Sequence, residues 1–200
     1  MKISVLFSGG KDSALASILL EPFFEVELVT FGYDQGTSWK AGEVAAKVLE
    51  IPHRTILFEK DVLDKAMTML LAAGYPSDAL NYVHQQAVEI LAQECDFVAD
   101  GTKREDRAPM MGPDEIRSLE DRLEAHYIRP LAGYGSKTIN TLASRYLEFE
   151  VLPSELYPAS DFEVGLRLAL EKLKGQDTVT KIFPADHKHS KIIRRKDLES

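Results

Sequence analysis

The chain has 200 residues, enough for one domain with a small appendage, and its 44% hydrophobic and 28% charged content gives it a core to bury and argues against disorder. A net charge of −8 argues against a general nucleic-acid binder, whose phosphate contacts need clustered Lys and Arg. The single Cys95 excludes an intrachain disulfide and any Cys-x-x-Cys metal or iron–sulfur site; with no run of 18 apolar residues and no signal-peptide pattern at Met1-Lys2-Ile3, a soluble cytoplasmic protein without a membrane partner is expected.

In chain order, Lys2–Phe7 reads as a buried strand that runs into Gly9-Gly10 and then a helix over Asp12–Leu20, closed by Glu21-Pro22. Phe24–Phe31 is a second strand, followed by a loop at Gly32–Thr37. Ser38 is placed to cap the helix Trp39–Leu49, whose Ala41, Val44, Ala45, Val48 and Leu49 recur at helical spacing. Arg54–Phe58 is a third strand, and helices follow over Asp61–Ala73 and Ser77–Gln93, split by Gly74-Tyr75-Pro76. Asp96–Asp100 is a fourth strand, and Gly101–Gly112 is too rich in charges and turn formers to be core. A helix from Pro113 to about Ala125 starts with Pro and acids, which favour that end. Tyr127–Leu131 is short and extended, Lys137–Tyr146 is helical with Ser136 as candidate cap, and Asp161–Lys174 is amphipathic, with Phe162, Leu166, Ala169, Leu170 and Leu173 on one face and a Gly175 stop.

This alternation predicts an α/β fold, a doubly wound and mostly parallel sheet with helices on both faces and a short helical C-terminal extension. The expected division is a nucleotide-binding domain over 1–150 and a C-terminal helix and basic tail over 151–200. In such sheets ligands bind at the carboxyl ends of the strands, where the strand order reverses. Three loops with chemistry fall at that edge: Ser8–Ser13, Phe31–Gly36 and Gly101–Asp106.

Ser8-Gly9-Gly10-Lys11-Asp12-Ser13 is an anion site by construction. Glycines let backbone approach phosphate oxygens, the first helical turn offers unpaired N–H groups, and the dipole favours negative charge there. The spacing is neither Gly-x-x-x-x-Gly-Lys-Ser/Thr nor Gly-x-Gly-x-x-Gly, which excludes the two commoner phosphate loops. The hexapeptide resembles the Ser-Gly-Gly-x-Asp-Ser signature of the N-type ATP pyrophosphatases, the PP-loop family with an adenine nucleotide α-hydrolase-type, Rossmann-like sheet, and the strand–helix order is similar over roughly 1–150.

The resemblance implies that the chain binds ATP with Mg²⁺, cleaves it to AMP and pyrophosphate, and adenylates a substrate oxygen. Backbone groups of Gly9 to Ser13, with the Ser8 and Ser13 hydroxyls, would hold the β- and γ-phosphates; Lys11 would add charge, and Asp12 would position the metal or order the loop. Asp100-Gly101-Thr102-Lys103-Arg104-Glu105-Asp106-Arg107 resembles the family's Gly-Thr-x-x-x-Asp loop. It implies Gly101 and Thr102 near the α-phosphate, Asp106 as a second metal ligand, and Arg107 (or Arg104) stabilising transition-state charge. Arg129-Pro130-Leu131 with Lys137 resembles a further family segment and implies Lys137 near the phosphates or substrate. Phe31 and Tyr33 end the second strand, where members wrap the adenine; Tyr33 stacks on the base or forms rim. The plainer readings stay open: a solvated Lys11, Asp12 as a cap, Lys137 as a solubilising lysine, and His84 as a surface histidine.

The expected activity is that of an ATP-dependent adenylating enzyme of ligase or transferase type, activating a carbonyl or carboxylate oxygen for attack by nitrogen or sulfur. Two alternatives are a tRNA-modifying version with an external sulfur donor, gripping RNA through the basic tail Lys188–Lys196, and a non-catalytic nucleotide-binding subunit. His187 and His189 sit in that tail without an assigned role. The substrate is a small molecule or RNA, and a homo-oligomer is compatible with the sequence.

Overall fold

A computed structural model describes residues 1–33, 39–153, 157, 160–183 and 188–196. The expected loop at 34–37, the cap Ser38 and His187 lie outside them. Strands and helices alternate: β1 (Lys2–Leu6), α1 (Lys11–Leu20), β2 (Glu25–Gly32), α2 (Lys40–Leu49) and β3 (His53–Leu57). Two consecutive helices, α3 (Lys60–Ala73) and α4 (Ser77–Ala92), lead to β4 (Phe97–Ala99), and α5 (Pro113–Leu123), β5 (His126–Ile128) and α6 (Ser136–Tyr146) follow. The last elements are β6 (Leu147–Pro153), α7 (Phe162–Lys174), α8 (Gln176–Ile182) and β7 (Lys188–Arg195).

The five strands β1 to β5 form a parallel sheet in the order β3-β2-β1-β4-β5. This is the doubly wound α/β architecture of adenine nucleotide α-hydrolase type. Side-chain alternation sends Ile3, Val5, Phe7, Val26 and Leu28 to one face, where α1, α2, Leu147 of β6 and Ile192 of β7 bury them. Leu6, Val29, Phe31 and Val98 face the other side, under α3, α4 and α7. Both faces are apolar because both are covered, which is why these strands read as continuous hydrophobic runs. The chain order reverses between β1 and β4, so their carboxyl ends open a crevice.

Several expectations are corrected. Val44 is exposed, because α2 turns Gly42 to the sheet: a Cβ there would lie 2.4 Å from Thr30 Oγ1, so the buried face is Gly42, Ala45, Ala46 and Leu49. The segment read as a tail is strand β7, paired antiparallel with β6, which the boundary drawn at residue 150 divides. Helix α8 was likewise not expected. On α7 the buried residues are Leu166 and Leu170, while Leu173 is exposed.

Ile192 is only 2% exposed against the sheet face, whereas its neighbour Ile193 points out at 38%. Ile192→Ala should therefore cost about 2–4 kcal/mol in urea unfolding, and Ile193→Ala less than about 1 kcal/mol. Equal small losses would mean that β7 does not dock.

Candidate functional site

The loop after β1 is built by two backbone constraints. Gly9 has φ +79° and lies against α2, where a Cβ would come 2.8 Å from the Ala41 carbonyl oxygen. An L side chain is therefore excluded by conformation and by space. Gly10 precedes α1 in extended conformation and provides no side-chain cap, so the first-turn N–H groups face out of the helix end. The Ser8 and Ser13 hydroxyls are 3.3 Å apart, and Ser13 Oγ donates to the Gly10 carbonyl at 3.1 Å.

β4 lies beside β1 in register Ser4↔Val98 and Val5↔Ala99, so the loop after β4 emerges next to the loop after β1. At Gly101 the two backbones touch: a Cβ would sit 2.6 Å from Ser13 N. A cavity of about 630 Å³ opens over this junction. Ser8, Gly10, Lys11, Asp12, Ser13, Phe31, Gly101, Thr102 and Asp106 all line it. Gly9 shapes the loop from behind.

The cavity floor holds a buried polar network of Asp100, Thr102, His84 and Tyr127. Asp100 Oδ1 accepts from Thr102 N (2.9 Å) and Thr102 Oγ1 (2.7 Å), and Oδ2 takes the Tyr127 hydroxyl and lies 2.9 Å from His84 Nε2. Burial opposes the charge on Asp100, but His84, Tyr127 and Thr102 outweigh it and hold the carboxyl below its usual range. Burial, then the Asp100 charge, pushes the Tyr127 hydroxyl well above its ordinary value. His84 is 3% exposed and lines the cavity, so it is no surface histidine.

At the mouth, Lys11, Asp12, Lys103 and Asp106 alternate in charge. Lys11 Nζ lies 2.5 Å from Asp12 Oδ1, and Lys103 Nζ bridges Asp12 Oδ2 (3.1 Å) and Asp106 Oδ1 (2.6 Å). Asp106 Oδ2 accepts the Lys103 backbone N–H at 2.9 Å. The helix end and glycine cradle fit a polyphosphate. The Asp12–Asp106 pair does not, as folded, fit the expected Mg²⁺, because an ammonium already stands between the carboxylates. Among the described residues no group of three or more His, Cys, Asp and Glu could hold a metal ion.

Three expected residues lie elsewhere. Lys137 is exposed because α6 turns Ile139 and Ala143 inward, roughly the opposite side of the helix; Ser136 and Asn140 reach the cavity instead. Arg107 is exposed and does not line the cavity. Tyr33 is neither stacked into the cavity nor rim: its ring packs on Phe58 and under α7, where a Cβ on Gly165 would lie 2.0 Å away, and among the described residues its buried hydroxyl has no hydrogen-bond partner. Burial, then the Asp161 charge, pushes the pKa of this hydroxyl well above its ordinary value.

The sequence reading missed the far wall. Ser160 donates its N–H to the Ser8 carbonyl at 2.9 Å and accepts Gly42 N–H on Oγ at 2.9 Å, tying the β1 loop to α2. Asp161, Phe162, Glu163, Lys188, His189 and Ser190 also line the cavity, with His189 Nδ1 3.8 Å from Asp161 Oδ2. Period-two apolar spacing at Leu147, Phe149 and Val151 was the one signal for this ribbon. Among the described residues no helix is long and apolar enough to cross a membrane.

The chain is similar to several known proteins. A model described as a family of unknown function, DUF7411, matches residues 1–194. Uncharacterized protein MJ0690 of Methanocaldococcus jannaschii is 38% identical over 194 residues, 96% of each chain. A crystal structure of a predicted subunit of tRNA methyltransferase, also from M. jannaschii, is 36% identical, covers 100% of both chains and superposes with a TM-score of 0.91. The U34-tRNA thiolase NcsA from Methanococcus maripaludis, with its 4Fe-4S cluster, is 17% identical with a TM-score of 0.50, over 91% of this chain and 70% of its own. That last likeness is one of fold.

The network makes a pH prediction. A carboxyl whose folded pKa is lowered stabilises the fold above its unfolded value, and that stability is lost as pH falls through the folded value. Asp100→Asn should cost about 3–5 kcal/mol at neutral pH by orphaning buried partners. The deficit should shrink below the usual carboxylate range in urea titrations run across pH; a deficit independent of pH would contradict the assignment.

Proposed function

This chain belongs to the DUF7411 family, and we propose that it is an ATP-dependent adenylating enzyme of PP-loop type. The observation that carries the reading is the contact of Gly101 with the uncapped start of α1, at the strand ends where the sheet order reverses. ATP lies across the cavity with its β- and γ-phosphates on Ser8–Ser13 and its base toward Phe31 and Phe162. A substrate oxygen attacks the α-phosphorus in line, the bond to the bridging oxygen breaks, and pyrophosphate leaves from the loop. A nitrogen or sulfur nucleophile then displaces AMP.

In this scheme the protein's own groups act by position and charge. The α1 N–H groups and the Lys11 and Lys103 ammonium groups stabilise the leaving pyrophosphate, and Thr102, fixed by Asp100, meets the α-phosphate. Mg²⁺ is the cation expected to accompany the nucleotide. Asp161, Glu163 and His189 face the acceptor side of the same cavity.

A second reading, in which the acceptor is RNA, is favoured by the 36% identical structure described as a tRNA methyltransferase subunit. The basic residues of β7 and the Lys196 that follows it are partly engaged within the fold: Arg194 with Glu148, Arg195 with Glu21, Lys196 with the Ser144 carbonyl. That leaves Lys188 and Lys191 for an RNA contact beside the cavity.

One experiment separates these readings. Calorimetry should show ATP binding that falls by roughly tenfold or more in Gly101→Ala, since the added methyl strikes Ser13 N. Labelled ATP, incubated with and without bulk unmodified tRNA, should then yield AMP and pyrophosphate. Stimulation by tRNA supports the RNA acceptor, ADP and phosphate would refute adenylation, and tight ATP binding without turnover with any acceptor would favour a nucleotide-binding subunit.

A further inference from the structure

All four oxygens of Asp12 and Asp106, the pair placed to take a cation with the nucleotide, are held by lysines. Asp12 Oδ1 is on Lys11 Nζ and Oδ2 on Lys103 Nζ; Asp106 Oδ1 is on the same Lys103 Nζ and Oδ2 on the Lys103 backbone N–H. Lys103 is 19% exposed and lies between two loops that meet only at the strand ends. Its Nζ lies 3.1 Å from Asp12 Oδ2 and 2.6 Å from Asp106 Oδ1, an ammonium held between two carboxylates.

We propose that Lys103 is a tethered counter-cation that closes the Asp12–Asp106 pair to divalent metal until a polyphosphate draws its ammonium away. The proposal rests on the nucleotide reading above and deepens it. A divalent ion between these carboxylates would stand at contact distance from the Lys103 charge, so the two cations exclude one another. Displacing the ammonium alone would strand a half-buried cation without its partners. A polyphosphate supplies new partners at that point, because the α1 N–H groups hold it within reach of Lys11 and Lys103, and the freed carboxylates then face the metal. Metal and polyphosphate therefore raise each other's affinity by the same factor. Free metal does not load the site, and nucleotide arrival opens it.

The test measures Mn²⁺ binding by water-proton relaxation to wild type, Lys103→Met and Lys103→Arg, each checked for fold by circular dichroism, with and without ATP or inorganic tripolyphosphate. Wild type and Lys103→Arg should take up Mn²⁺ only with a polyphosphate present. Lys103→Met should bind Mn²⁺ alone at least about tenfold more tightly, the scale of lost charge-assisted hydrogen bonds. Wild type binding Mn²⁺ alone as tightly as Lys103→Met would overturn the proposal, and so would no gain in that variant. Should Lys103→Met not fold, wild type alone decides: tight Mn²⁺ binding without polyphosphate refutes the lock, and binding only with it supports the lock. Failure of ATP and tripolyphosphate to bind wild type would instead refute the nucleotide reading, while Mn²⁺ binding to wild type and Lys103→Met still tests the exclusion.

Discussion

The backbone of Gly101 rests on the first turn of α1 so closely that no side chain fits between them. That contact depends on β1 and β4 lying side by side in parallel, and it makes the loops after both strands one rigid edge. Everything polar in the cavity is referred to it. Thr102 is delivered beside Ser13, Lys103 reaches Asp12 across the junction, and the α1 N–H groups are left facing open space rather than a cap. A helix end without a side-chain acceptor is costly to bury, so the fold keeps it at a cavity where an anion can supply the missing partner.

Charge is arranged in two tiers around that edge. Below it, a fully buried Asp100 is sustained by His84, Tyr127 and Thr102, which fixes the start of the Gly101–Asp106 loop. Above it, two lysines and two aspartates alternate and neutralise one another. The lower tier is buried, with His84, Asp100 and Thr102 each under a tenth exposed. The upper tier is only partly buried, and in the proposed scheme it re-pairs with phosphate charge at small net cost because one set of ion pairs replaces another. The β6–β7 ribbon and the start of α7 complete the cavity from the opposite side through Ser160, whose two backbone contacts join residues far apart in the chain.

How much of this the sequence disclosed depends on the range of the interactions. The strand–glycine–helix junction at Ser8–Ser13 is local, and it was legible from residue order alone, as were the strands that form the sheet. The β6–β7 ribbon was not, because its second strand, Lys188-His-Ser-Lys-Ile-Ile-Arg-Arg, looks like a charged tail until Leu147–Pro153 pairs with it from 35 or more positions away. His84 reads as an ordinary helix histidine until Asp100 meets it from β4. Lys103 was hidden in a run of charges whose members differ only in which way they point: Lys103 inward, Arg104 and Arg107 outward. Lys137 was misplaced for the same reason, since motif likeness carries position along the chain but not rotation about a helix axis.

In the proposed function an ATP polyphosphate sits on the α1 N-terminus against Gly101. Hydrogen–deuterium exchange with and without ATP tests this directly, because the amides concerned lack intrahelical partners in the free chain. The account predicts slowed exchange in peptides covering Ser8–Ser13 and Gly101–Asp106. Protection absent there, or confined to peptides outside those two loops, would contradict it.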